Sequence, residues 1–273
     1  MVKGMPRQII TLTTDFGTSD HFVGTMKGVI LSITPTANLV DITHEIRPFE
    51  VSEAAFVMAQ FYAFFPKGTI HVVVVDPGVG STRRPILAEV SGQYFIAPDN
   101  GVLSMVLAKA QASAKRASVK VRHITSEKFF LKALSRTFHG RDVFAPVAAH
   151  LAKGIPPAQF GKSIDDFITL SSLKPEHTGE QAWTGTLLKV DRFGNLITNF
   201  HIDEFPQVKT KPFELRIGTA KIKRLALTFT ECDPDELFLI VGSSGYLEVA
   251  TNQGNAAEGL GSGAGSLVEL KIG

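Results

Sequence analysis

The sequence predicts an α/β protein in two parts, an N-terminal α/β/α, Rossmann-like domain and a C-terminal all-β, barrel-like domain. Three observations carry this expectation. From residue 8 onward, short β-rich runs alternate with helical ones, the pattern of βαβ units. The run Thr69-Ile-His-Val-Val-Val-Val75 is almost continuously apolar and stops at Asp76-Pro-Gly, as expected of a central strand buried on both faces. After residue 182 no good helical pattern appears, and short strand-like runs follow one another at sandwich or barrel spacing.

Taken in order, Ile9–Thr14 reads as a strand, Phe22–Ile33 as a helix, Leu39–Thr43 as a second strand and Val51–Phe65 as a longer helix. Ile86–Val90 and Tyr94–Ala97 flank Ser91-Gly92 as a hairpin. Gly101–Ala110 reads as a helix, and Asp142–Ala152 as another that stops at Lys153-Gly154 ahead of Pro156-Pro157. Between Gly161 and Gln181 the periodicity fades, which sets domains at 1–162 and 183–273 with a linker over 163–182. The second domain contains strand-like runs at Trp183–Val190, Leu196–Phe200, Phe213–Ile217, Lys221–Thr228, Leu237–Val241, Leu247–Ala250 and Leu267–Ile272.

Composition removes several function classes. At 273 residues, 44% hydrophobic and 20% charged, the chain is neither disordered nor fibrous and holds one large or two modest domains of roughly 150 residues each. A lone cysteine, Cys232, makes no internal disulfide and no Cys-rich zinc site, and it leans toward a reducing compartment. The formal charge of +2, with basic residues dispersed apart from short clusters such as Lys221-Ile-Lys-Arg224, argues against a nucleic-acid partner. The most apolar uncharged stretch, Ala54–Phe65, runs 12 residues, well short of the ~20 that cross a bilayer. The N-terminus has no signal-peptide pattern, and the expectation is a cytoplasmic protein.

Three segments place polar residues directly after apolar strands, where open α/β sheets build ligand crevices: Thr14-Asp-Phe-Gly-Thr-Ser-Asp20, Asp76-Pro-Gly-Val-Gly-Ser-Thr-Arg-Arg84 and Ala97-Pro-Asp-Asn-Gly101. A carboxylate at the top of a strand accepts two hydroxyl protons of a ribose diol, and Asp15 is the candidate. Each of these Asp residues taken alone would serve equally as a helix cap or an Asx turn. Gly78-Val-Gly80 resembles a phosphate cradle but lacks both the Gly-Lys-Ser/Thr ending of a P-loop and the third Gly of a dinucleotide fingerprint. In Phe138-His-Gly-Arg-Asp142, a His stands just ahead of a helix. With no His-x-x-x-His pair and no carboxylate cluster beside it, no metal site is expected.

Together and in order, seven blocks are more specific than any one of them. Thr14-Asp-Phe-Gly with Asp20, Gly24-Thr-Met-Lys-Gly-Val-Ile30, Val75-Asp-Pro-Gly-Val-Gly80 with Arg83, Ala97-Pro-Asp-Asn-Gly-Val-Leu103, Phe138-His-Gly-Arg-Asp142, Asp191-Arg-Phe-Gly-Asn195 with Thr198-Asn199, and Gly242-Ser-Ser-Gly-Tyr-Leu-Glu248 resemble the S-adenosylmethionine hydroxide adenosyltransferase family, which is similar to the fluorinases and chlorinases. The resemblance implies the two-domain fold above, a homotrimer with sites at subunit interfaces, S-adenosylmethionine as substrate and no cofactor. It implies a water-activating set of Asp76, Arg83 and His139, with Arg84 as an adjacent alternative to Arg83. It further implies Asp15 at the ribose, Asp20 and Asp191 near the methionine amine, Phe193 and Asn195 at the adenine, and Ser243 and Ser244 at the methionine carboxylate. The halogenases have an Arg where Ser244 stands.

The chemistry agrees with this expectation. Hydroxide attack on the 5′ carbon of a sulfonium expels a neutral thioether, so only the nucleophile needs preparing. Either Asp76 or His139 accepts its proton, and Arg83 stabilises the developing hydroxide. A halogenase is the nearest alternative, disfavoured because Asp76 would repel a halide. The other is a non-catalytic S-adenosylmethionine- or adenosine-binding regulator, which would not need Asp76, Arg83 and His139 together.

Overall fold

In the computed structural model, which describes residues 8–112 and 118–273, the chain divides into two units at Leu170/Ser171. In the first, strands β1 (Ile9–Thr14), β2 (Asn38–Thr43), β3 (Ile70–Val74), β4 (Pro85–Val90), β5 (Gln93–Pro98), β6 (Val119–His123) and β7 (Ser163–Ile164) form one mixed sheet in the order β2-β1-β3-β5-β4-β6-β7. Strands β2, β1, β3 and β5 run parallel, and β4 returns antiparallel to β5 across the Ser91-Gly92 turn. Helices α1 (Phe22–Ile33) and α4 (Ala145–Ala152) pack together, as do α2 (Val51–Phe61) and α3 (Ser104–Ala112). Every residue of β3 is buried, which is why its sequence reads as an unbroken apolar run.

His71, inside β3, is fully buried, with Nδ1 2.8 Å from Thr11 Oγ1. Burial pushes it down to about 4, so it packs as a neutral imidazole.

Three helices differ from their sequence reading, the one expected over Gly101–Ala110 beginning only at Ser104. The helix expected over Val51–Phe65 is α-helical only to Phe61 and tightens into a 3₁₀ turn over Tyr62–Phe64. The Asp142–Ala152 helix starts with a π-helical turn over Gly140–Phe144. Pro146 has no N–H to give to the carbonyl four residues back, that of Asp142, which instead accepts the Leu131 N–H at 2.9 Å.

In the second unit, β8 (Glu176–Gly179), β9 (Ala182–Val190), β10 (Leu196–His201), β11 (Phe213–Ile217), β12 (Ala220–Ile222), β13 (Leu225–Ala226), β14 (Phe238–Val241), β15 (Tyr246–Ala250) and β16 (Leu267–Ile272) form a half-barrel sheet. Its path is β12-β11-β16-β9-β10-β15-β14-β13, with β8 also paired to β9. The core gathers around Phe200, Leu215, Leu239, Leu247 and Leu270. The run expected as one strand over Lys221–Thr228 is two, broken at Lys223-Arg224, where the Arg224 carbonyl accepts the Leu239 N–H and turns β13 parallel to β14. One short helix escaped the sequence reading: α5 (Ala256–Leu260), capped by the Asn255 side chain on the Glu258 N–H and ended by Gly261 in a left-handed conformation.

Residues 163–182, read from the sequence as a linker, contribute β7 to the first sheet and β8 to the second.

Candidate active site

The carboxyl ends of β1 and β3 open on a cavity of about 270 Å³ in the first unit, lined by Asp15, Phe49, Asp76, Thr137, Phe138 and His139 among others. Asp76 stands two residues past the end of β3. The next residues fold back through Val79 N–H to the Asp76 carbonyl (3.2 Å) and Ser81 N–H to the Gly78 carbonyl (3.1 Å), and Ser81 Oγ accepts the Arg83 N–H (3.2 Å). This double turn returns Arg83 to Asp76. Arg83 Nε donates to Asp76 Oδ1 at 2.9 Å and its NH2 group to Oδ2, a two-pronged ion pair in which both side chains are almost fully buried. The same NH2 group lies 2.9 Å from His139 Nδ1. Arginine only donates, so Nδ1 is the acceptor. Burial first, then the Arg83 charge, holds the His139 imidazole below its ordinary value, against the opposite pull of Asp76, Asp142 and the Ser135 carbonyl.

Gly80 shows why this loop needs glycine. Its φ is +77°, and a Cβ there would sit 2.2 Å from the Arg136 carbonyl oxygen. The Gly78-Val-Gly80 pattern thus reflects a close approach of two backbones rather than a phosphate cradle. The neighbouring loop is folded on Asp142, fully buried, whose Oδ2 accepts the Ser135 N–H at 2.7 Å and whose Oδ1 takes Arg141 Nε at 2.6 Å. Phe138 brings His139 to the rim by packing edge-on against Phe16 and Phe22.

Arg84, one residue on, faces elsewhere. Its Nε and NH2 reach Asp99 Oδ2 at 2.9 and 2.7 Å, and its NH1 reaches Asp166 Oδ1 at 2.8 Å. The Asp99 loop is therefore a brace: Asp99 Oδ1 accepts the Ile168 N–H, and Asn100 Nδ2 donates to the Val75 carbonyl.

Asp15 follows β1 and accepts the Phe49 N–H on Oδ2 at 2.9 Å. Burial raises its pKa, the Phe49 N–H and its own N–H oppose that, and the Asp76 charge adds to the rise. Phe49, missed in the sequence, has φ +69° and is 70% exposed, a strained conformation at the cavity wall for a bulky residue. Asp20 is exposed on the loop ahead of α1 and does not line the cavity.

In the second unit Asp191 closes its own turn. Its Oδ1 accepts the Phe193 and Asn195 N–H groups at 2.8 and 2.9 Å, and its Oδ2 accepts Asn195 Nδ2 at 2.8 Å. Asn195 is thereby buried, whereas Phe193 is 76% exposed. Ser243 and Ser244 occupy the turn between β14 and β15, with Ser244 Oγ buried and without a hydrogen-bond partner.

Glu248 on β15 is a further acidic group of this region. Its carboxylate presses on Gly242, where a Cβ would lie 1.7 Å from Oε1. Burial, then the Asp191 charge, pushes it up to about 7. Its signal in the sequence is a lone carboxylate inside an apolar strand. Because the folded state binds this proton more tightly than the unfolded one (pKa about 4.3), its contribution to stability falls as pH rises toward 7 and is flat above. The expected result is that wild type loses more Tm than Glu248→Gln between pH 5 and 8; equal losses in paired thermal melts would assign Glu248 an ordinary carboxylate pKa.

Among the described residues no group of three or more His, Cys, Asp or Glu is placed to hold a metal ion, and no helix is long and apolar enough to cross a membrane.

Residues 10–161 match the profile of the SAM hydroxide adenosyltransferase N-terminal domain, and residues 185–269 that of its C-terminal domain. The chain belongs to this family. A relative from Salinispora tropica named (R)-S-adenosyl-L-methionine hydrolase is 36% identical over 98% of this chain and 99% of its own. A fluorinase of Nocardia brasiliensis is 27% identical, covering 98% of both chains. The crystal structure of a conserved protein from Thermotoga maritima superposes with a TM-score of 0.84 at 38% identity over 96% of this chain and 99% of that one. In this SAM hydroxide adenosyltransferase, then, Asp15, Asp76 and His139 lie at one cavity with Arg83 behind its wall, and Asp20 stands outside it.

Proposed function

We propose that this protein hydrolyses S-adenosylmethionine to adenosine and L-methionine, with water attacking the 5′ carbon of the ribose. The observation that carries this is the buried Asp76–Arg83 pair joined to His139 at the cavity that Asp15 also lines. The names of the curated relatives support it.

With Nδ1 receiving the Arg83 N–H, the neutral His139 ring carries its proton on Nε2 and has no free lone pair there. Asp76 is then the proton acceptor. As the water oxygen bonds to C5′, its proton passes to Asp76, the C5′–S bond breaks, and the sulfur keeps the electron pair as the neutral thioether of methionine. Arg83 fixes the carboxylate and the ring in one geometry before the reaction starts, which is where electrostatic groups act most strongly. Positive sulfonium and developing hydroxide cancel, so water exclusion by Phe49, Phe16 and Phe138 accelerates the step. Two carboxylates, Asp15 and Asp76, at the nucleophile's cavity disfavour a halide.

The same reading places Asp15 on the ribose diol, Phe193 and Asn195 at the adenine, and Ser243 and Ser244 at the methionine carboxylate. Asp20 and Asp191 stand near the amine, and Glu248 joins them because Asp191 already has three hydrogen bonds in its own turn. It also includes a homotrimer with sites at subunit interfaces, in the cytoplasm.

Incubated with S-adenosylmethionine in heavy-oxygen water without halide, the protein is expected to give adenosine and methionine in equal amounts, with the label in the 5′ hydroxyl and no effect of chelator. Label elsewhere, S-adenosylhomocysteine as product, or turnover only with halide would each overturn the reading.

A further inference from the structure

The parallel pairing of β1 with β2 contains a slip. Leu12 pairs with Asp41, but Thr13 pairs with Thr43, so one extra residue of β2 is taken up before the strand ends. The slip brings His44 level with Thr14. His44 is 5% exposed, and its Nδ1 lies 2.9 Å from Thr14 Oγ1. Its carbonyl accepts the Gly17 N–H at 2.7 Å, the Thr14 carbonyl accepts the Ile46 N–H at 3.4 Å, and Thr14 Oγ1 accepts the Phe16 N–H at 3.3 Å. On its far side, His44 Nε2 faces Asp41 Oδ1 at 3.1 Å, and Asp41 pairs with Lys27.

One proton assignment fits the Thr14 contacts, with Nε2 within ion-pair distance of Asp41 but outside hydrogen-bond geometry. Thr14 donates its hydroxyl proton to Nδ1 and accepts from Phe16, while Nε2–H faces Asp41. Asp15 is the residue between Thr14 and Phe16. Its carboxylate is gripped by the Phe49 N–H, from the loop that begins at His44. One imidazole therefore joins the backbone that carries Asp15 to the loop that holds its side chain.

We infer that His44 is a positioning residue for Asp15, fixing the two strand-end loops so that the carboxylate meets a ribose 2′,3′-diol. This rests on the S-adenosylmethionine reading. A carboxylate free to turn on a loose loop would lose most of the directional advantage of accepting two hydroxyl protons at once, because fixed geometry is what distinguishes such a contact from a hydrated charge.

The test compares affinities for adenosine and 2′,3′-dideoxyadenosine by calorimetry, since their ratio reads grip on the diol rather than overall folding. Wild type is expected to prefer adenosine by about tenfold or more, and Asp15→Ala to abolish the preference. His44→Ala should reduce it several-fold and raise KM for S-adenosylmethionine more than it lowers kcat. His44→Asn, whose amide stands near the Nδ1 position and still meets Thr14, should restore most of it; His44→Gln, which reaches toward Asp41 instead, should not. Thr14→Val removes this hydrogen bond together with the one from the Phe16 N–H at near-equal volume and is expected to reduce the preference at least as much as His44→Ala, which keeps the test open should that variant fail to fold. A wild-type preference in folded His44→Ala or Thr14→Val, or rescue by Gln and not Asn, would overturn the inference. Absence of adenosine binding in wild type would overturn the underlying functional reading.

Discussion

Arg83→Ala is expected to lower kcat by about 10²–10³-fold with a much smaller change in KM. The guanidinium does not line the cavity; it lies behind the wall, with its side chain 8% exposed, and joins Asp76 to His139. Removing it leaves a nearly buried carboxylate without a partner and frees the imidazole to turn. Phe144, whose ring centre is 5.2 Å from the guanidinium carbon, offers no replacement. Arg83→Lys should recover only part of the rate, because an ammonium supplies the charge but not the two-pronged geometry. Arg84→Ala should instead lower Tm while kcat stays near wild type, since Arg84 is bound to Asp99 and Asp166. Steady-state kinetics and thermal melts of the three variants decide this, and the reverse pattern would move the role to Arg84.

Asp142→Ala is expected to destabilise the protein by about 3 kcal/mol, the low end for breaking a buried ion pair because Arg141 is 34% exposed and water can hydrate it. For a unit of this size, that is a fall in Tm of about 6–12 °C. Activity should fall at temperatures where the variant is still folded, because the lost Ser135 N–H bond releases the loop that carries His139. The pH dependence has a definite sign. Burial by itself would raise the Asp142 carboxyl, but the hydrogen bonds from Arg141 and Ser135 outweigh it and hold the group below its ordinary value. Its stabilisation is present above the unfolded pKa and is lost as pH falls through the lower folded one. The gap between wild type and Asp142→Ala in urea melts should therefore be full at pH 7 and close below about pH 4. A constant gap would mean that Asp142 acts by packing alone.

The elements that the sequence revealed are those whose pattern follows from a single local cause. β1 and β16 and helix α1 match their expected bounds residue for residue, because each alternates or repeats its apolar residues over a whole element. Where two forces competed, the boundary moved. The α4 helix opens as a π turn since Pro146 has no N–H for the Asp142 carbonyl, and the Lys221–Thr228 run breaks because the Arg224 carbonyl is taken by the Leu239 N–H of β14. The α5 helix was too short to show a period, although Asn255, Glu258 and Gly261 spell its caps.

The ordered motifs by themselves determined the family, the two-part fold, and the set of polar residues that end β1 and β3, because strand-end loops are contiguous in sequence. Tertiary structure decided what no spacing encodes: which of two adjacent arginines turns toward Asp76, and that Asp20 stands outside the cavity while Phe49 lines it. It also showed Asp191 occupied by its own turn, with Glu248 beside it. The physical reason is that neighbouring side chains in the extended segment that leads into β4 face opposite directions. Their partners, His139 for Arg83 and Asp166 for Arg84, lie 56 and 82 residues away along the chain, and only folding brings them into reach.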